Sequence, residues 1–394
     1  MNQPRRSPDW LQRIRTLVSE RRDSSNWRSL TIRDEVKVAL PRTIDLSSND
    51  YLALSRHPLL IDCVRDAAAR WGVGSGSSRL VSGTLPIHAA LERRFAKFKH
   101  AEAALLFPTG YVANLAVLST IPQPGDLLVL DKLCHASLID GGRLATATGA
   151  TMRTFPHGRL DRLSTLLADH QIEKPDAARF IVSDAVFSMD GDCADLPRLA
   201  ELRDAHDAAL ILDEAHATGV LGERGEGLDA AGLADITIST ASKALGSLGG
   251  VVTGPVDVIE WLINAARPFI YTTASSPLQA AAIEAALDVI DAEPRRRTRM
   301  AALVHLVRLR LNELGLATPM DPTPIIPIVV GSAQRAIALS AHLRASDIIA
   351  PAIRPPTVAP NASRVRLSLH CELTDDDLDQ LFRSLASFDW DQQQ

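Results

Sequence analysis

An alternation of two hydrophobic periods constrains this chain more than any other feature. Segments near 58–70, 85–100, 111–120, 137–148, 159–170 and 195–206 carry helix-like patterns, with Ile87, Leu91, Phe95 and Phe98 at helical spacing as one packing face. Interleaved with them stand the short apolar runs Leu127–Leu130, Phe180–Val182, Leu210–Leu212, Ile236–Ile238 and Gly250–Val252. A strand that is apolar at consecutive positions is covered on both faces, and helical crossovers supply that cover. The alternation therefore predicts an α/β fold: a large domain over 49–290 whose mainly parallel sheet is covered by helices.

Either side of that block the pattern changes. Residues 1–48 read as an N-terminal helix and arm, with Trp10, Leu11, Ile14 and Val18 on a weak apolar stripe. Beyond about 291 come a long helix near 295–315, the proline-punctuated Pro319–Pro324, the apolar run Ile325–Val330 and a helix near 333–346. The alternating run Arg364–Leu369 and a final helix from near Thr374 complete a smaller α+β domain over 291–394. Acidic residues in the first turn of that last helix suit its dipole.

Composition removes several classes of function. Hydrophobic residues make up 46% of the 394, enough for sizeable cores, and charged residues at 23% with a net charge of −5 indicate an ordinary soluble surface, with nothing to suggest nucleic acid. The run Arg295–Arg299 reads as the solvated start of a helix. No apolar run reaches the length of a membrane span, and Met1–Trp10 holds no hydrophobic leader core. Cys63, Cys134, Cys193 and Cys371 are scattered without CxxC spacing. Reduced thiols in a cytoplasm are expected, with neither a disulfide frame nor a metal site.

Chemistry concentrates where two of the apolar runs end. Ala209–Leu212 leads into Asp213-Glu214-Ala215-His216, and Ile236–Ser239 leads into Thr240-Ala241-Ser242-Lys243. Open α/β sheets bind ligands at the carboxyl ends of their strands. Singly, the lysine reads as a surface charge, the aspartate as a helix cap and the histidine as a rim residue. Together they are the set that pyridoxal phosphate requires: an amine for its aldehyde and a carboxylate for its protonated ring nitrogen. Gly110-Tyr111 follows Leu105–Phe107 and opens a helix, whose first N–H groups and dipole favour an anion. A plain helix start, with Tyr111 as packing, is the alternative there.

Longer motifs stand in order along the chain. They are Leu46–Leu52, Gly74–Gly83, Asp131–Ser137, Phe187–Asp192, Asp213–Gly219 and the Lys243 loop. From about Leu11 to Phe388 the chain resembles the α-oxoamine synthases, a group within the fold-type I pyridoxal-phosphate enzymes. The resemblance implies that Lys243 carries the cofactor and then removes the substrate's Cα proton, that Asp213 pairs with the ring nitrogen, and that His135 stacks on the ring and meets the substrate carboxylate. It implies cofactor contacts from Gly110, Tyr111, Ser188, His216 and Thr240. Substrate contacts fall on Arg28, His135, Thr357 and Arg366, where a guanidinium fork suits a carboxylate. Arg364 is read as solvated, on the face opposite Arg366.

Ala352–Val358 resembles the biotin-pathway branch of the group. That implies condensation of L-alanine with a pimeloyl thioester carried on coenzyme A or on an acyl-carrier protein. It also implies a homodimer, with Tyr271-Thr272-Thr273 reaching across the interface. The rival readings are a sister synthase taking glycine or serine, and a catalytically silent subunit of the same fold. The presence of Lys243, Asp213, His216 and His135 argues against the second.

Overall fold

The computed structural model describes residues 9–23, 27, 30, 43–316 and 318–390, so Arg28 lies outside the described residues. The chain enters through α1 (Asp9–Asp23), β1 (Ile44–Asp45), α2 (Pro58–Trp71) and α3 (Pro86–Phe98). Strands and helices then alternate: β2 (Ala103–Phe107), α4 (Gly110–Thr120), β3 (Leu127–Asp131), α5 (Ala136–Ala147), β4 (Thr151–Phe155) and α6 (Leu160–Glu173). They continue through β5 (Arg179–Asp184), α7 (Leu196–Ala205), β6 (Ala209–Asp213), β7 (Ile236–Thr240) and β8 (Gly250–Gly254). Four helices follow: α8 (Val256–Ala265), α9 (Arg267–Ile270), α10 (Pro277–Ala292) and α11 (Arg295–Glu313).

Strands β2 to β8 form one seven-stranded sheet in the order β2-β8-β7-β6-β5-β3-β4. It is parallel except at β8, which runs antiparallel to both β2 and β7. Strand alternation sorts neighbouring residues into two cores. Leu127, Val129, Ile181, Leu210 and Leu212 pack with α2, α3, α6, α7 and α10 on one side. Leu128, Leu130, Phe180, Val182 and Ile211 pack with α4, α5, α8 and α9 on the other. The consecutive apolar runs in the sequence are this double cover. Period alone does not predict two strands of this sheet: β2, which contains the run Leu105–Phe107, is too short and uniform to tell from a helix, and β4 is a half-polar edge strand.

The remaining elements are β9 (Ile325–Gly331), α12 (Ala333–Ala345), β10 (Ile348–Ile349), β11 (Ala352–Ile353), β12 (Ser363–Ser368) and α13 (Asp375–Ser387). An antiparallel sheet β11-β12-β9 sets Arg366 opposite Pro327 and Leu367 opposite Ile326. β1 pairs in parallel with β10, and Ser368 N donates to Leu46 O at 2.9 Å. The Leu46–Leu52 motif is thereby stitched to the strand that carries Arg366. Among the described residues no helix is long and apolar enough to cross a membrane, and all four cysteines are free.

Candidate active site

Three neighbouring parallel strands, β5, β6 and β7, end at Asp184, Asp213 and Thr240, with Asp184 and Asp213 in direct register. Lys243 lies on the loop just past β7. Backbone pairing thus gathers residues that are far apart in sequence at one carboxyl edge.

Asp213 is buried and held from both sides: Oδ1 accepts from Ala215 N at 2.8 Å, and Oδ2 from Asn114 Nδ2 at 2.6 Å. Asn114, inside α4, also donates to Ser137 Oγ at 2.8 Å, and that hydroxyl lies 2.7 Å from His135 Nδ1. A continuous hydrogen-bonded chain therefore joins His135 to Asp213. His135 caps α5, donates its backbone N–H to Asp184 Oδ2 at 2.8 Å, and presents an exposed ring edge-on to Tyr111 at 6.4 Å. The Tyr111 hydroxyl is bonded to Asp140 rather than buried in the core.

Lys243 makes no hydrogen bond or ion pair among the described residues. It is half-buried. Desolvation pulls its ammonium down to about 8, with Arg366 adding to the effect and the Asp213 and Asp184 carboxylates opposing it. Burial likewise holds His216 well below the ordinary imidazole range, helped by Lys243, Arg366 and His135. Desolvation also lowers His135, against the pull of Asp213. Asp184 is pushed well above the carboxylate range, by burial first and by Asp213 second.

Arg366 is buried, and its donors are largely engaged: Nε reaches Ser188 O at 2.6 Å and Nη1 reaches Ser368 Oγ at 2.6 Å. Its fork straddles Asn49 Oδ1, at 3.2 Å from Nη1 and 3.3 Å from Nη2. The expectation for Arg364 fails. It is buried, it donates to Met189 O at 3.1 Å and it pairs with the Asp190 carboxylate. Residues i and i+2 of a strand share a face, so the two arginines grip the same loop from the same side. Thr357 stands exposed on the turn after β11.

At the other end of the site α4 begins at Gly110, with Thr109 as its N-cap accepting from Val112 N at 3.2 Å. A side chain at Gly110 would crowd Thr240, whose Cβ and Oγ1 stand 3.2 Å from where the added carbon would sit. Thr240 Oγ1 lies 2.9 Å from Ser242 Oγ. This glycine-lined cradle at a helix start suits a phosphate, and a partnerless amine beside a buried carboxylate suits an aldehyde on a protonated ring. The residues present fit pyridoxal phosphate.

Residues 41–385 match the family described as aminotransferase class I and II. The 8-amino-7-oxononanoate synthase of Cellvibrio japonicus is 42% identical over 386 residues, covering 95% of this chain and 95% of that protein. The chain belongs to the 8-amino-7-oxononanoate synthase family. The crystal structure of 8-amino-7-oxononanoate synthase from Francisella tularensis superposes with a TM-score of 0.74 at 30% identity, covering 87% of this chain and 97% of that one. A serine palmitoyltransferase variant solved with pyridoxal phosphate gives a TM-score of 0.88 at 25% identity, covering 96% and 98%. The fold is that of the fold-type I enzymes, and the cofactor is pyridoxal phosphate.

Membership in the family leaves part of the site unexplained. Asn114, Ser137, Tyr51 and Asp184 all touch it, and sequence reasoning assigned none of them a role. Tyr51 and Ser137 lie inside quoted motifs, so a signal existed for them. Asn114 sits in an apolar helix with nothing in its surroundings to mark it.

Proposed function

We propose that this chain condenses L-alanine with a pimeloyl thioester, releasing carbon dioxide and the thiol carrier, to give 8-amino-7-oxononanoate. The observation that carries the reading is the partnerless Lys243 amine, depressed to about 8, beside buried Asp213 and within the field of Arg366. Pyridoxal phosphate, when bound, supplies an electron sink for the pair released at the substrate's Cα. Lys243 is close enough to neutrality near physiological pH to bond the cofactor and, once freed, to take the Cα proton. Asp213, fixed by Asn114 and Ala215, keeps a carboxylate oxygen for a protonated ring nitrogen. Thr240 and the first N–H groups of α4 receive the phosphate, while Ser188 and His216 serve the phenolic oxygen.

The amino-acid carboxylate goes to Arg366, with His135 beside it. Since the Arg366 fork already straddles Asn49 Oδ1, the incoming carboxylate shares the guanidinium with that amide. Arg28 and Thr357 complete the substrate contacts in this reading, a second copy of the chain completes the site as a homodimer, and coenzyme A or an acyl-carrier protein carries the acyl group. The names of its relatives and the thiols free of disulfides support a cytoplasmic biotin-pathway enzyme.

The deciding experiment supplies the chain loaded with pyridoxal phosphate with pimeloyl thioester and L-alanine, glycine or L-serine in parallel, and identifies products by mass. An 8-amino-7-oxononanoate mass from alanine alone is expected. A larger yield from glycine or serine would move the chain to a sister synthase.

A further inference from the structure

Tyr51 performs no step in the reading above, yet it is fully buried within the site. Its hydroxyl stands 2.6 Å from His216 Nδ1 and 3.2 Å from Asn49 Oδ1. A phenol has one proton to give, so these two neighbours compete for it. The Asn49 oxygen already faces both terminal nitrogens of Arg366, at 3.2 and 3.3 Å, and Ser368 Oγ at 3.4 Å. Arg366 has donors alone, which obliges Asn49 to present its oxygen and fills that oxygen's two lone pairs. The Tyr51 proton is left for His216 Nδ1, the nearer acceptor. Burial pushes Tyr51 up to about 12, so the hydroxyl keeps its proton, and His216 stays neutral for the reasons given above. A neutral imidazole that accepts at Nδ1 carries its own proton at Nε2.

We propose that Tyr51 is a positioning residue whose hydroxyl holds His216 in the Nε2-protonated tautomer, so that His216 meets the cofactor as a hydrogen-bond donor. The last clause rests on the reading that places His216 at the cofactor's phenolic oxygen; the tautomer does not. Among the described residues Nε2 has no hydrogen-bond partner, so its N–H is available to an oxygen anion. Arg366 then acts twice. It receives a carboxylate, and by saturating Asn49 it directs the Tyr51 proton to His216.

The test is nitrogen-15 NMR of the full chain, labelled at histidine and loaded with pyridoxal phosphate. In the wild type His216 should show a protonated Nε2 and an unprotonated, hydrogen-bonded Nδ1. In Tyr51→Phe the two ring nitrogens should drift toward averaged tautomers, and the pH midpoint of the cofactor's visible absorption should shift. Loss of one hydrogen bond should lower kcat by up to about tenfold, with KM for alanine within about twofold because Arg366 is untouched. A residue that merely filled space would lower stability and leave the ring nitrogens unchanged. A wild-type His216 protonated at Nδ1, or unchanged ring nitrogens in Tyr51→Phe, would overturn the proposal. Should Tyr51→Phe fail to fold, the wild-type spectrum decides by itself. A chain that stayed colourless with pyridoxal phosphate yet showed the Nε2 tautomer would sink the proposed function and leave the tautomer assignment standing.

Discussion

Lys243 is subject to opposed demands, and the structure shows which prevails. An amine must be neutral to attack an aldehyde or take a proton, but two nearby carboxylates, Asp213 and Asp184, favour its charged form. Desolvation outweighs them, and the ammonium falls from the usual 10.5 to about 8. The neutral amine is therefore the form the fold prefers, so stability from this group increases as pH rises from about 8 to 10.5. For chemistry, the rate at which cofactor-stripped protein captures pyridoxal phosphate should climb as pH passes about 8. Lys243→Ala should capture none in a borohydride-stable form. An inflection at 10 or above would mean that the amine is solvated like an ordinary surface lysine. Arg366 shows the converse arrangement: it is buried, but Ser188, Ser368 and Asn49 supply oxygen to its donors.

The element that organises the site is the loop Phe187–Asp192, and its fastenings come from three directions. Arg366 and Arg364 hold the carbonyls of Ser188 and Met189 from β12, while Thr323 bonds Gly191 O just ahead of β9. Gly191 itself takes a φ of +70°, a conformation that suits glycine. From the far side His157 bridges Asp131 at 3.0 Å and Asp192 at 2.8 Å, with its ring against Phe187 at 4.4 Å. Those two carboxylates raise the imidazole from 6.5 to about 10. A raised histidine stabilises the fold in full below its unfolded value and loses that contribution as pH rises through its folded one, here between 6.5 and about 10. His157 should still give an imidazolium NMR signal at about pH 8, and His157→Gln should flatten the loss of stability across that window. A His157 titration at the ordinary value would show that the bridge contributes nothing.

Sequence reading placed Lys243, Asp213 and His216 because strand ends are legible from apolar runs. It had no access to this loop's partners, for Arg364 and Asp190 are separated by 174 residues. Its error at Arg364 was one of period. Side chains two apart on a strand lie together, so Arg364 shares the face of Arg366, and both faces of this strand are buried.

At the scale of the molecule, two cores flank the sheet, and one of them does not stop where the large sheet ends. Leu212 and Leu245 beside the site belong to the same apolar cluster as Ile326, Leu367 and Leu385 of the C-terminal elements. Cores usually divide beyond about 250–300 residues, so this continuity has a mechanical consequence. The small sheet cannot loosen without exposing apolar surface that the large sheet also covers. Leu367 is the place to probe it: fully buried, in register with Ile326 and adjacent to Arg366. Leu367→Ala removes apolar contacts in a site with little room to collapse, a change that costs about 2–5 kcal/mol. In urea the variant should unfold at a lower midpoint, with far-UV circular dichroism and bound-cofactor absorbance lost in one coincident transition. Cofactor colour lost well before the helical signal would show the C-terminal elements unfolding by themselves. The shared core would then be a contact between two independent units, and Arg366 would owe its place in the site to docking rather than to common folding.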